Sequence, residues 1–225
     1  MLTHYLRRLP TLIIALSFFL FCSTSQAATP PKVNTIAQKG TVALTFDDGP
    51  SEIYTPQILD ILKKYNVKTT FFVVGASARQ HPELIRRIQA EGHAINEHTM
   101  THPMLTHLAQ SQWYYEMVEP ANIIQNIIGK RPACLRYPYG ASNSAIRAYI
   151  RSEGMVPVPM GFNSFDYNRP GVDKISSWVL KNSYSGQVIL MHDGYDKREQ
   201  TVAALPTIIE GIQKKGLGFS QICVT

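Results

Sequence analysis

The sequence predicts an α/β fold built on a parallel sheet, open or closed. From about Thr41 onward, short apolar strand-like runs alternate with segments of helical periodicity, and such alternation builds β-α-β units whose strands lie parallel. A second observation agrees. Carboxylates, histidines and an arginine stand at or just past the carboxyl ends of five of those runs, the edge where the loops of parallel sheets converge into sites.

The chain opens MLTHYLRRLPTLIIALSFFLFCSTSQA, with Arg7 and Arg8, an apolar run from Leu9 to Cys22, and a small-x-small close at Ser25 and Ala27. This reads as a secretory signal over residues 1–27. The run is short for a bilayer span, and bulky Phe21 ahead of Cys22 argues against lipoprotein processing; a retained anchor is the alternative. Residues 28–39 read as a short extended lead, and residues 40–225 as the domain proper. Cleavage after Ala27 leaves 198 of the 225 residues, enough for one domain with a sizeable core. It removes two arginines and no acid, so the net charge falls from +6 to +4. That mild excess suits an anionic cell-wall polymer or a membrane surface, and without a Lys/Arg run it argues against nucleic acid.

Strands are expected in TVALTF, KTTFFVVG, HAINEH, ACLRYP, MVPVPM, QVILMHD and LGFSQICV, with no internal repeat among them. Between the first two, YTPQILDILKKYNV reads as a helix: Thr55 caps, Pro56 takes the first helical position, and Ile58, Leu62 and Tyr65 share a face. The next helix has Pro82 near its start, Leu84, Ile85 and Ile88 inside, and Gly92 at its end. A longer one from about Gln110 to Ile128 contains Pro120, which kinks or splits it. Ser142 caps SNSAIRAYIRSEG, and Pro206 opens the last helix, PTIIEGIQKKG.

The first strand runs into Asp47 and Asp48. Adjacent carboxylates repel unless a cation or strong donors offset them. HTMTH places His98 and His102 four residues apart, and on a single turn or compact loop both imidazoles reach one ion; Pro103 stops a longer helix. Alone this spacing is weak. Joined to the aspartate pair, two imidazoles and one carboxylate leave positions open for water and substrate, which is how a catalytic metal site differs from a structural one.

TFDDGP, HTMTH, RYPYG and ILMHD, in this order and spacing, resemble the polysaccharide deacetylases that share the NodB homology domain, carbohydrate esterase family four. The resemblance covers nearly all of residues 40–225. It implies a distorted (β/α) barrel of about seven parallel strands, one divalent metal ion (zinc, with cobalt or nickel as alternatives), and hydrolysis of N-acetyl groups on an acetylated glycan polymer or oligomer. Position by position it makes Asp47 the general base, with Asp48, His98 and His102 as the metal ligands. Arg136 orients the base, the backbone N–H of Tyr139 helps hold an oxyanion, and His192 is the general acid, paired with Asp166. Leu190 lines the pocket for the acetyl methyl. One motif departs: the family reads roughly D-x-x-D-W where NSFDY supplies Asn163, Asp166 and Tyr167. Tyr167 narrows the apolar wall and adds a hydroxyl, which bears on substrate preference more than on chemistry. Tyr137 has equal claims as a glycan contact and as a packed ring.

The preferred substrate is the N-acetylglucosamine of peptidoglycan, with chitin or chito-oligosaccharides, or O-acetylated xylan, as alternatives. A non-catalytic glycan-binding relative is disfavoured because ligands, base and acid are all present, and no H-E-x-x-H string supports a zinc protease. The expected product is an exported monomer, periplasmic or in the extracellular cell wall, with no stable membrane insertion after signal cleavage. Structural readings cover the rest. His81, His93 and His107 cap, pack or face solvent; Trp113, Tyr114 and Tyr115 mainly pack; Asp193 and Tyr195 shape the loop after the acid. Cys134 and Cys223 either pair in an oxidising compartment or remain two buried thiols.

Overall fold

The computed structural model describes residues 29–224, so the expected signal segment lies outside the described residues. Its elements run β1 (Thr41–Asp47), α1 (Tyr54–Lys64), β2 (Thr70–Val73), α2 (Gly75–Gln80), α3 (Pro82–Ala90), β3 (Ala94–Glu97), α4 (Trp113–Met117), α5 (Glu119–Ile128), β4 (Cys134–Arg136), α6 (Ser144–Ser152), β5 (Val156–Val158), β6 (Phe162–Asn163), α7 (Val172–Asn182), β7 (Val188–His192), α8 (Glu199–Lys214) and β8 (Gly218–Phe219). No helix among them is long and apolar enough to cross a membrane.

Seven strands form one curled sheet in the order β5-β4-β3-β2-β1-β7-β6, and β8 adds to the amino end of β1. Every pairing is parallel. The strands make a distorted (β/α) barrel whose two edges, β5 and β6, are joined by residues 159–161 rather than by a ladder. The period of two along β1 sorts its side chains. Val42, Leu44 and Phe46 enter the main core with Ile58, Leu59 and Leu62 of α1 and Leu205, Ile208 and Ile209 of α8. Ala43 belongs to a smaller core inside the barrel with Phe72, Cys134 and Ile222. Thr45 and Asp47 follow Ala43 on that inner face, so the same strand that anchors the core aims a carboxylate into the barrel mouth.

The C-terminal run departs from its expected strand. Only Gly218–Phe219 pairs, and the residues after it plug the amino end of the barrel. Thr70 Oγ1 donates to the Ile222 carbonyl and accepts from the Ile222 N–H, both at 3.0 Å, and Asn96 Nδ2 donates to the Cys223 carbonyl. Cys223 is bonded to Cys134, so of the two cysteine readings the disulfide is the one realised.

Other boundaries differ for local reasons. Two elements, β6 and α7, were not legible in the sequence; α7 begins after Gly171 with no side-chain cap, and its buried face is only Ile175, Ser176 and Val179. The segment after β2 makes two helices, α2 and α3, and the predicted 110–128 helix is split at Val118, two residues before Pro120. Asn143, not Ser142, caps α6, accepting from the Ile146 N–H at 2.9 Å. Thr55 lies inside α1 rather than capping it. Pro206 does not open the last helix but sits within α8, where burial of Leu205, Ile208, Ile209 and Ile212 offsets a cost of about 3 kcal/mol for an interior proline.

Candidate active site

Parallel pairing sets Asp47 beside His192 across β1 and β7, and both end at the barrel mouth. Asp48, the next residue, takes a left-handed backbone (φ 78°) that swings its carboxylate away from the strand direction. The turn closes tightly on the loop after β7. A Cβ on Gly49 would stand 2.1 Å from Asp193 Oδ2, and one on Gly194 would stand 2.3 Å from the Asp48 carbonyl oxygen, so neither glycine has room for a side chain. Asp193 is buried, accepting from the Gly49 N–H at 3.2 Å and the Thr55 hydroxyl at 2.6 Å. Burial pushes its carboxyl up to about 7, against those hydrogen bonds.

His98 and His102 follow β3 on a compact loop rather than a helical turn, with Thr99 at φ 67° and His102 at φ 60°. Their Nε2 atoms lie 3.6 and 3.3 Å from Asp48 Oδ1, and the three ligand atoms fall within 4.8 Å of one another. Asp48 Oδ1 is buried without a hydrogen-bond partner, as expected of an oxygen reserved for a cation. His98 Nδ1 lies 2.6 Å from the Arg136 carbonyl oxygen; a carbonyl only accepts, so Nδ1 carries the proton and Nε2 keeps its lone pair for a metal. Burial and the neighbouring His98 lower His102 to about 4, which leaves it neutral as a ligand must be. These residues fit a divalent ion.

On one side of this set, Arg136 Nη1 donates to Asp47 Oδ1 at 2.7 Å and to Thr45 Oγ1 at 2.8 Å. The guanidinium is fully buried and lies over the Phe72 ring at 3.9 Å, a cation–π contact that compensates for the partnerless Nε and Nη2. On the other side, His192 Nδ1 donates to Asp166 Oδ1 at 2.7 Å, while Asp166 Oδ2 accepts from the His192 N–H and the Thr201 hydroxyl. Burial alone would lower His192, but the Asp166 charge and hydrogen bond outweigh it and raise its pKa above the ordinary imidazole value. Asp166 follows β6.

A cleft of about 420 Å³ is lined by Asp47, Asp48, His98, His102 and His192, and also by Leu190, Tyr137, Tyr139 and Tyr167. Every site residue named from the sequence except the buried Arg136 and Asp166 lines this cleft, and those two hold residues that do. Tyr137 is nearly buried and packs with Leu135 and Ile146, whereas Tyr139 (φ 59°) is 57% exposed with its hydroxyl 3.2 Å from His102 Nδ1. His93 packs as a buried acceptor of the Thr69 N–H. Trp113 packs against Tyr149, but Tyr114 and Tyr115 are exposed rather than packed.

Sequence reasoning missed three groups. Arg198, buried, puts Nη2 3.8 Å from Asp48 Oδ2; in DKRE it looks like solvated surface. Glu116 is buried and accepts from the N–H groups of Met100 and Thr101 and from the Thr101 hydroxyl, at 3.1, 2.9 and 2.7 Å. Glu97 accepts from the Thr99 N–H at 3.0 Å, and burial raises its pKa well above the carboxylate range. A lone glutamate on an aromatic-rich helix and another inside a strand carry no signal of this role.

Asp47 held by Arg136, His192 held by Asp166, and an Asp48-His98-His102 set that fits a divalent ion share one cleft at the carboxyl edge of a (β/α) barrel, the arrangement of a metal-dependent hydrolase. The comparisons agree. The family model described as polysaccharide deacetylase matches residues 34–158, and the chain belongs to that family. It is 38% identical over 187 residues to a chitooligosaccharide deacetylase of Bradyrhizobium, covering 78% of this chain and 85% of that one. It is 35% identical over 180 residues to a peptidoglycan-N-acetylglucosamine deacetylase of Bacillus cereus, covering 79% and 84%. Among solved structures, a peptidoglycan N-acetylglucosamine deacetylase superposes with TM-score 0.79 at 33% identity, covering 86% of this chain and 89% of that one. A family 4 carbohydrate esterase from Streptomyces lividans, in complex with acetate, gives 0.75 at 33%, covering 84% and 99%.

Proposed function

We propose that the protein is an exported, zinc-dependent deacetylase that removes N-acetyl groups from N-acetylglucosamine residues of peptidoglycan. The observation that carries this is the flanking of the Asp48, His98 and His102 set by a base held by arginine and an acid held by aspartate. Asp48, His98 and His102 would hold a divalent ion, which would supply Lewis acidity and lower the pKa of the attacking water, to about 7 where zinc does this elsewhere.

The chain's own residues do the rest. Arg136 fixes Asp47 Oδ1, so Oδ2, 3.7 Å from His98 Nε2, is the oxygen that takes a proton from the attacking water. The amide carbon becomes tetrahedral, and the Tyr139 N–H donates to its oxyanion; one such donor is worth about 2.7–4 kcal/mol where it has been removed. His192, charged through its contact with Asp166, gives its Nε2 proton to the leaving nitrogen as the C–N bond breaks. Leu190 and Tyr167 wall the space for the acetyl methyl.

The disulfide supports export, because such bonds persist in oxidising compartments, and the apolar opening of the chain supports it independently. Chito-oligosaccharides are the second reading, favoured by the Bradyrhizobium relative. Acetate release from peptidoglycan, chito-oligosaccharides and acetylated xylan, measured side by side, tests the assignment. Release from peptidoglycan is expected to be fastest; release from chito-oligosaccharides with none from peptidoglycan would overturn the substrate, and release from xylan alone would overturn the N-deacetylase reading.

A further inference from the structure

An aromatic path leaves the cleft on the side of the acid. Tyr167 stands edge-on to His192 at 5.4 Å, Phe165 lies 6.3 Å from Tyr167, and Trp178 lies 6.0 Å from Phe165. Each ring is about two-fifths exposed: 41% for Tyr167, 42% for Phe165 and 40% for Trp178. Single exposed aromatics need no explanation, but three in sequence running out from a catalytic acid form a patch of the kind that marks binding.

The patch is held in place. Phe165 adopts a left-handed backbone (φ 58°), which costs a bulky residue about 1–3 kcal/mol. Asn163, at the end of β6 and lining the cleft, accepts the Phe165 N–H on Oδ1 at 2.8 Å and the Trp178 Nε1–H on its carbonyl at 3.0 Å. One residue therefore anchors both outer rings.

Two charges frame the far end. Lys174 and Lys181 lie four residues before and three after Trp178 on α7, spacings that share a helix face. They line a hollow of about 350 Å³ with Phe165, Pro170 and Trp178. Among the described residues neither makes an ion pair, whereas nearby Arg169 is neutralised by Glu199 at 2.7 Å.

We propose that this surface is a second saccharide subsite, which seats a carboxylate-bearing sugar beside the residue being deacetylated. It rests on the peptidoglycan reading and deepens it. The ring faces take the C–H faces of a sugar, and the lysines take its carboxylate, a pairing a neutral chitin chain cannot make. The carboxylate belongs either to the lactyl ether of the neighbouring sugar or to the peptide that extends it.

The test compares the full mature protein with K174Q/K181Q, whose changes lie on exposed side chains, on three substrates: chitotetraose, peptide-free glycan strands that keep the lactyl carboxylate, and strands with their peptides. KM on the charged strands is expected to rise roughly three- to tenfold with kcat unchanged, and KM on chitotetraose to stay put. A rise only on peptide-bearing strands assigns the carboxylate to the peptide; a rise on both assigns it to the lactyl group. Unchanged KM on both charged strands, or an equal rise on chitotetraose, would overturn the subsite. If the wild type releases no acetate from any of the three, the functional reading fails, and calorimetric binding of the strands to both proteins still decides the subsite.

Discussion

Asp47 and Asp48 are chain neighbours with different surroundings, and their variants should separate. Asp48 Oδ1 has no hydrogen-bond partner and faces two imidazoles, so Asp48→Asn is expected to lose metal affinity. Asp47 is tied to Arg136 and lies outside the Asp48, His98 and His102 set, so Asp47→Asn is expected to keep its metal and lose activity by about 10²–10⁴-fold, the scale of a missing general base. Elemental analysis beside acetate release distinguishes them, and the reverse pattern would exchange the roles. Asp166 makes a third case. It raises His192, and an acid works while protonated, so rate persists up to that raised value and falls above it. Asp166→Asn removes the charge that favours imidazolium, and the alkaline limb of the pH profile should move to lower pH. A fixed limb in a folded, active variant would break the pairing.

The ligand loop between β3 and α4 shows how an element borrows rigidity from its neighbours. It contains two left-handed non-glycine residues, and such backbone persists only where surroundings over-determine it. Glu116 of α4 supplies that constraint through three hydrogen bonds to Met100 and Thr101. Supporting bonds around a metal site are worth about 10–100-fold in metal affinity, so Glu116→Ala should weaken divalent-metal binding by up to that order although it touches none of Asp48, His98 and His102. Competition with a chromogenic chelator measures it, and wild-type affinity in the folded variant would show that the loop holds itself.

For the molecule as a whole, the site and the disulfide lie at opposite ends of the barrel. Asp47, His98 and His192 gather at the carboxyl edge, while the bond between Cys134 and Cys223, 89 residues apart, holds the C-terminal plug against the amino end. Removing a native disulfide of this span costs about 2–5 kcal/mol. Cys134→Ala with Cys223→Ala should therefore lower the urea midpoint markedly while leaving kcat at low temperature near wild type. A large loss of kcat with an unchanged midpoint would mean that the plug acts on the site rather than on stability.

Much of this was legible in the chain because it depends on local pattern. The period of two in TVALTF, the alternation with helical runs and the four motifs sufficed for a parallel sheet with Asp47, Asp48, His98, His102 and His192 at one edge. Elements with weak local signals were not legible: α7 has no side-chain cap and a buried face of three residues, and β6 is two residues long. Pro206, a local breaker, was overridden because packing of α8 outweighs its missing hydrogen bond. Only the tertiary structure decided that Arg198, Glu97 and Glu116 are buried beside the ligands, that the cysteines pair, and that Phe165, Tyr167 and Trp178 align beyond the acid. The physical reason is common to all of these. Burial, charge partnership and ring contact arise between residues distant in the chain, and periodicity reports only which face a side chain takes, not what it meets there.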